Sequence, residues 1–199
     1  MKYADKFIFS AMACLFLIIL FSACSPVPDS DRSAVDPSWQ NWIQIHANPI
    51  RSLDSPDFSD LSFLDPLVSG KSIIQLGEVA HGVAEQNRLR VRIIKYLHQR
   101  HGFNVLAFES GYWECGQMNR KWHSLAARDL LKNSLYTFWH TDDLLDLFTY
   151  IKASRDSANP IDLAGFDIQH TGFYYPYRPA YLRDIVFHFD RAFAEEVYQ

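Results

Sequence analysis

Cysteine is scarce in this 199-residue chain, and its scarcity limits both redox chemistry and metal binding. The three cysteines are Cys14, Cys24 and Cys115. The first lies in an apolar N-terminal run and the second follows that run directly, which leaves Cys115 without an internal disulfide partner. We expect Cys115 to be a small core residue. Because cysteine pairs and the His-x-x-x-His spacing are both absent, we expect no metal and no other cofactor.

A strong charge of one sign is lacking as well. The formal net charge is -4, and basic residues concentrate only along residues 88–100, so nucleic acid is not an expected partner. No Gly-x-Ser-x-Gly motif is present, which leaves a serine acyl-enzyme without support. Hydrophobic residues make up 48% of the chain, which is enough for one domain with a real core.

The N-terminal residues have the features of a targeting segment. Lys2 and Lys6 precede an uncharged apolar run that ends at Ser22-Ala23-Cys24, and small residues before a cysteine resemble a bacterial lipoprotein signal. We therefore predict a signal peptide over residues 1–23, lipidation of Cys24 and a membrane lipoprotein of the bacterial cell envelope, on its periplasmic or surface side. The alternative is an uncleaved membrane anchor.

A flexible tether is predicted next, and a single domain after it. Residues 24–38 are rich in Ser, Pro and Asp, which is typical of a linker between a membrane and a folded domain. Residues 39–199 form the predicted domain. A short helix is expected at Trp39–His46 and another within Asp60–Val68.

The stretch from Ser72 to Glu109 predicts strand, polar elbow, helix and strand. The strands are predicted at 72–76 and 103–108, and the helix runs from Val83 to about Arg100 and is ended by Gly102. Such a βαβ unit has parallel strands and a right-handed crossover. We therefore predict an α/β fold with parallel strands and flanking helices, and we expect this chain to be the first half of a larger α/β domain.

Candidate site residues cluster at one edge of the predicted sheet. Glu78 and His81 lie in the elbow after the first strand and Glu109 ends the second strand, so all three would meet at the carboxyl edge, where open α/β folds bind their ligands. Arg90 lies within the apolar stripe of the helix and is expected to pair with Glu78 or Glu109. The alternative is that Arg90 reaches past the stripe to water. Arg88, Arg92 and Lys95 are expected to be solvated.

Further elements follow along the chain. Residues 110–116 are predicted to form a loop, residues 117–125 and 126–135 helices, and Thr141 the N-cap of another helix. A third strand covers residues 161–166 and ends at Asp167. An aromatic loop at Tyr174–Tyr177 and a helix from Asp184 complete the chain.

The elbow and helix resemble the opening of the erythromycin esterase family. The pattern is a strand ending in Gly-Glu-x-x-His, a Glu four residues later, an Arg along the helix, Gly-Phe, and a strand ending in Glu. The residues that fit it are Glu78, His81, Glu85, Arg90, Gly102, Phe103 and Glu109. The resemblance extends over residues 39–169 and includes the later strand that ends in Gly-x-Asp at Asp167.

This resemblance implies hydrolysis of an ester or macrocyclic lactone, the chemistry by which a macrolide esterase gives antibiotic resistance. His81 would be the general base, with Glu78 and Glu109 orienting it or the water, and Arg90 would hold those carboxylates ionised or bind the oxyanion. Glu85 and Asp167 are supporting candidates. Each has a structural alternative. His81 could cap the helix, Glu78 could accept from backbone N–H groups of the elbow, and Glu109 could simply pair with Arg90. Glu85 could be a surface residue, and Asp167 could cap the next element.

A second class of function stays open on the sequence. Distant relatives of the fold include haem-binding surface lipoproteins, and His81 with the Tyr174–Tyr177 loop could bind a porphyrin or another small ligand. Family members are longer and carry functional histidines in their later half. A truncated, inactive family member is therefore a further alternative. We expect the 199-residue chain by itself to be weak or inactive.

Overall fold

The computed structural model describes residues 37–197, and the chain divides after Ala47 into two compact units. In the first unit the described element is helix α1, Pro37–His46. Within it the Trp42 ring stacks on His46 with 4.5 Å between ring centroids. No helix between residues 37 and 197 is both long and apolar enough to span a bilayer. The predicted signal peptide, Cys24 and most of the tether lie outside the described residues.

The second unit contains seven further α-helices and two strands within the described range. The short helix α2 is Asp65–Val68 and the long helix α3 is Ala84–His101. Strand β1 is Val105–Gly111, followed by helices α4 at Tyr112–Asn119, α5 at Ala127–Ser134 and α6 at Asp142–Ser154. Strand β2 is Asp162–Asp167, and helices α7, Arg178–Phe187, and α8, Arg191–Val197, follow it. Three 3₁₀ turns occur at Ser59–Leu64, Thr137–Trp139 and Tyr175–Tyr177.

The two strands pair in parallel, which confirms the predicted α/β class. Val105 lies opposite Asp162 and Phe108 opposite Gly165, and the register shifts before Gly111 meets Asp167. Helix α4 packs on both strands, α5 packs on α4 and α6, and α3 packs on α6. One side of the strand pair therefore faces a helical core. Its largest fully buried members are Trp122, Phe148, Met118, Leu130, Leu135, Leu147 and Ile151.

The predicted strand at residues 72–76 is wrong. The structure assigns no strand there, and Ile73 is 79% and Leu76 38% exposed, although their apolar side chains suggested a buried run. A short apolar run forms a strand only when a neighbouring backbone edge pairs with it. The parallel partner of β1 is instead β2, which comes more than fifty residues later in the chain.

Helix α3 follows its predicted bounds within a residue, but its buried face differs. Gly102 ends the helix in the left-handed conformation, with φ 73°, as a C-terminal glycine does. The expectation that Arg92 is solvated is wrong: its side chain is 5% exposed and its Nη2 lies 2.8 Å from Asp60 Oδ1. That hydrogen bond holds the pKa of Asp60 well below its usual range.

Arg88 and Lys95 also have acidic partners, although both are nearer the surface. Arg88 pairs with Asp54, and Lys95 Nζ lies 2.6 Å from Asp146 Oδ2. The buried members of α3 are Asn87, Val91, Arg92, Tyr96 and Leu97. The buried face of α3 therefore includes Arg92, which lies outside the predicted apolar stripe.

The segment after β1 is helical where a loop was expected. Helix α4 starts at Tyr112, directly after the strand, and its buried residues include Trp113, Glu114 and Cys115. Cys115 is fully buried, as predicted for a core residue, and burial together with the charge of Glu114 raises the pKa of its thiol to about 12. The predicted N-cap of α6 is confirmed: Thr141 Oγ1 accepts from the Leu144 N–H at 3.3 Å.

Candidate active site

The elbow at residues 77–82 places Glu78 and His81 just before helix α3. Gly82 has φ 77°, a left-handed conformation that residues with a side chain adopt only with strain. Val83 then has an extended backbone and serves as the N-cap of α3. The chain therefore reverses within a few residues, and His81 comes back to within reach of Glu78.

Glu78 and His81 form a close carboxylate–imidazole pair. Glu78 Oε1 lies 2.5 Å from His81 Nδ1, and the side chains are 18% and 53% exposed. When Nδ1–H donates to the carboxylate, Nε2 of the neutral ring carries the lone pair. An imidazole in this arrangement can accept a proton from water at Nε2, and the carboxylate stabilises the imidazolium that forms.

Arg90 holds the other side of the Glu78 carboxylate. Its Nη1 lies 3.2 Å from Glu78 Oε2, and its side chain is only 15% exposed. This is a charge contact, because Oε2 is buried without a hydrogen bond of proper geometry. The Arg90 guanidinium also donates to the Gly77 carbonyl at 3.1 and 3.3 Å and to Asn87 Oδ1 at 3.0 Å. The expected Arg90–Glu78 ion pair is thus present.

Aromatic rings form a wall behind His81. The His81 ring stacks on Phe138 with 4.0 Å between centroids and a 22° interplanar angle, and meets the edge of Trp139 at 6.3 Å. Arg90 lies over the Trp139 ring at 5.8 Å. These rings belong to the 3₁₀ turn before α6, which the sequence reasoning did not single out. The run of aromatic residues from Tyr136 to Trp139, just before the Thr141 cap, was the available signal.

Glu109 does not join the Glu78–His81–Arg90 cluster. It is exposed on β1, where the alternating pattern buries Phe108 and Ser110. Within residues 37–197 it forms none of the ion pairs or hydrogen bonds that the structure describes. Its negative charge helps to raise the pKa of Tyr136, after burial and Asp167.

Glu85 and Asp167 lie in different surroundings. Glu85 is exposed in the first turn of α3, where its charge acts on Arg88. Asp167 ends β2, where its Oδ2 accepts from the Tyr136 hydroxyl at 3.2 Å and its Oδ1 accepts from the Gln169 N–H at 2.9 Å. Asp167 therefore caps its own loop and also holds a side chain of the aromatic wall.

Glu114 is a buried acid that the sequence reasoning missed. Its side chain has no exposed surface, and neither carboxylate oxygen has a hydrogen-bond partner. The nearest titratable partner described is His170, whose Nδ1 lies 3.8 Å from Oε1. Gly111 makes room for it, because a Cβ at that position would come within 2.1 Å of Oε2. The signal in the sequence was an acid that follows Tyr112 and Trp113, three residues after the end of β1.

The described residues do not group into a metal-binding site. Between residues 37 and 197, no three or more His, Cys, Asp or Glu side chains are grouped so that they could hold an ion. The site as described thus consists of a carboxylate–histidine–arginine cluster with an aromatic wall.

Comparison with known proteins shows that this chain has relatives. The model of a family described as erythromycin esterase matches residues 98–198, a stretch that includes Glu109 and Asp167 and begins after Glu78, His81 and Arg90. YbfO of Bacillus subtilis (strain 168), which carries a provisional hydrolase name, is 41% identical over 154 residues, covering 77% of this chain and 34% of YbfO. Erythromycin esterase type I of Escherichia coli is 30% identical over 118 residues, covering 58% of this chain and 28% of that enzyme.

A solved structure agrees with these similarities. A Bacillus cereus protein aligns with 67% of this chain and 33% of its own length, at a TM-score of 0.58 and 27% identity. The chain spans about a third of the length of these relatives. The family model covers 101 of the 199 residues, which is just over half. The chain therefore belongs to the erythromycin esterase family.

Proposed function

We propose that this protein hydrolyses an ester or a macrocyclic lactone with water that His81 activates. The observation that carries the proposal is the 2.5 Å contact between Glu78 Oε1 and His81 Nδ1, with the imidazole half exposed. A base that works on water must have one nitrogen oriented and the other accessible. The family membership supports the same type of reaction.

In the proposed reaction, His81 Nε2 takes a proton while the oxygen of that water bonds to the ester carbonyl carbon. The tetrahedral intermediate then collapses, the carbon–oxygen bond to the alcohol breaks, and the imidazolium returns the proton to the leaving oxygen. Glu78 keeps its charge next to Nδ1 throughout and stabilises the imidazolium. Glu109 lies on β1 outside this cluster, and its proposed role in orienting the attacking water is supported by the family pattern alone.

Arg90 is proposed to support Glu78 rather than to bind the oxyanion. Its donors already engage Gly77 O, Asn87 Oδ1 and the Glu78 carboxylate. A donor that is already committed cannot turn toward a developing oxyanion without breaking those contacts. Its effect would be to hold the Glu78 carboxylate in place against His81.

The test is hydrolysis of a macrolide panel and a simple aryl ester, with mass spectrometry for the gain of one water. In the complete gene product, we expect His81→Ala to lower kcat/KM by about 10²–10⁴, the usual loss for a missing general base. Glu109→Gln is expected to be harmful as well. Exposed His123 gives a matched control, and His123→Ala should keep the parent rate.

Two results would contradict the proposal. The first is a His81→Ala variant that hydrolyses as fast as the parent. The second is a parent that hydrolyses nothing on the panel, and a Soret band on mixing with haemin would then favour a haem-binding lipoprotein. With neither hydrolysis nor a Soret band, an inactive family member is the better description.

We propose further that the protein is a lipid-anchored envelope protein through Cys24. The support is the Ser22-Ala23-Cys24 junction after an uncharged apolar run. Cys24→Ser should block incorporation of labelled fatty acid and leave an uncleaved precursor. Normal processing of that variant would instead indicate an ordinary signal peptide.

A further inference from the structure

A stack of three rings leads from His81 to the carboxyl end of β2. His81 stacks on Phe138 at 4.0 Å, and Phe138 stacks on Tyr136 at 5.3 Å with a 16° interplanar angle. Tyr136 is half-buried, and its hydroxyl reaches Asp167 at the end of β2. The proposed catalytic histidine and the Tyr136 phenol are thus the two ends of one aromatic row.

The Tyr136 hydroxyl lies between two acceptors. Asp167 Oδ2 and Gln169 Oε1 are each 3.2 Å from it. A phenol has one proton to donate, and both neighbours can accept it, so the free capacity of the phenol oxygen is as an acceptor. Any further hydrogen bond to this oxygen must therefore come from a group that brings its own proton.

Three carboxylates act on the Tyr136 phenol through their negative charges. Burial raises the pKa of Tyr136, and the charges of Asp167, Glu109 and Glu114 raise it further, which keeps the hydroxyl protonated at neutral pH. Glu114 is fully buried with two oxygens that lack hydrogen bonds, and its Oε2 lies beside Gly111 and close to the Gln169 carbonyl. These negative charges favour a ligand group that brings a donor or a positive charge to the phenol oxygen.

We infer that Tyr136 is a specificity-determining residue that binds a hydrogen-bond donor on the substrate, a hydroxyl or a protonated amine set several bonds away from the reacting ester. The ester would lie at His81, an apolar spacer would run along Phe138, and the donor would reach the Tyr136 oxygen, with Asp167 and Gln169 next to it. This inference rests on the proposed function, because it takes His81 as the place where the ester reacts.

The test uses three methyl esters that differ only at the far end of the chain: those of octanoic, 8-hydroxyoctanoic and 8-aminooctanoic acid. Hydrolysis by the 199-residue chain gives kcat and KM, and saturation-transfer NMR reports binding whether or not hydrolysis occurs. We expect the hydroxy ester to bind about 2- to 10-fold better than the plain ester, and the ammonium ester better by on the order of 10-fold or more. The gain should lie in KM and not in kcat.

Tyr136→Phe keeps the stacked ring and removes the oxygen, so the hydroxy and ammonium esters should no longer bind better than the plain ester. Tyr150→Phe is the matched control, since the Tyr150 hydroxyl meets His98 on the surface of α6, and it should keep the preference. Asp167→Asn should distinguish the two kinds of donor. Loss of the carboxylate charge should weaken binding of the ammonium ester more than binding of the hydroxy ester.

The outcomes also separate this inference from the proposed function. A parent without a preference, or a Tyr136→Phe variant that keeps it, overturns the inference even if all three esters are hydrolysed. A Tyr136-dependent preference in binding, without hydrolysis of any ester, supports the inference about ligand recognition and counts against hydrolysis by the 199-residue chain.

Discussion

Arg92 Nη2 lies 2.8 Å from Asp60 Oδ1, and both side chains are almost fully buried. The same guanidinium donates to backbone carbonyls in the loop before α2: Ser55 O at 3.1 Å, Asp57 O at 2.7 Å, and Ser52 O. One side chain thereby satisfies several acceptors of a segment that has little regular structure, and it joins that segment to helix α3.

The first prediction concerns this contact. Arg92→Met removes the buried cation that pairs with Asp60 and the donors to the loop carbonyls, so the thermal unfolding midpoint should fall by on the order of 5–10 °C. Arg88→Met is the matched control, because the Arg88–Asp54 pair is much more exposed and exposed pairs add little. Equal midpoints for the two variants in differential scanning calorimetry would contradict the assignment of Arg92.

The second prediction concerns Arg90. Removing it in Arg90→Met leaves the half-buried Glu78 carboxylate without its cation, so unfolding should become easier by about 3 kcal/mol in a denaturant titration. Turnover of an ester should fall as well, since Glu78 would no longer be fixed against His81. Unchanged stability would mean that the side chain is solvated, as the alternative from the sequence held.

The third prediction concerns alkaline stability. Burial raises the pKa of Tyr96 to about 12, with a contribution from its hydrogen bond to Asp65. A group whose pKa is higher in the folded than in the unfolded state stabilises fully below its unfolded value, and this contribution is lost as the pH rises through the folded value. Stability should therefore fall between about pH 10 and pH 12. Tyr96→Phe should be less sensitive over this range, as urea titrations at each pH would show.

The fourth prediction concerns the Cys115 thiol. It is fully buried and its pKa is raised to about 12, so almost no thiolate exists at neutral pH and alkylation should be very slow. A thiol titration of the parent and of Cys115→Ser should give equal counts in native buffer and differ by one thiol in guanidinium. A difference in native buffer would mean that Cys115 is reactive.

Local signals in the sequence predicted the bounds of α3 and the start of α6 well, whereas α4 begins where a loop was expected. Gly102 ends α3 and Thr141 caps α6 because these residues act on backbone groups within a few positions of themselves. The spacing of Leu144, Leu147, Phe148 and Ile151 likewise marks the buried face of α6. Such features depend on neighbours along the chain, which the sequence displays.

Features that depend on distant partners were predicted less well. The exposed run at Ile73 has strand composition without a paired edge, and Arg92 is buried only because Asp60 and the loop carbonyls meet it. The Glu78–Arg90 contact could be expected because both residues flank one elbow. The stacking of Phe138 on His81 could not, because the chain between them passes through α3, β1, α4 and α5.

Helix α3 carries Arg90 and Arg92 two positions apart, and each residue turns the helix by about 100°. The two guanidiniums therefore leave the helix on different sides: one fastens the elbow through Gly77 O, and the other fastens the loop through Ser55 O. These two hydrogen bonds together oppose rotation of the helix about its own axis. A single residue inserted between Arg90 and Arg92 would rotate one guanidinium away from the carbonyl that it binds, whereas an insertion after Gln99 would leave both hydrogen bonds in place. Among family members, length variation in the helix that corresponds to α3 is thus expected to accumulate at its C-terminal end.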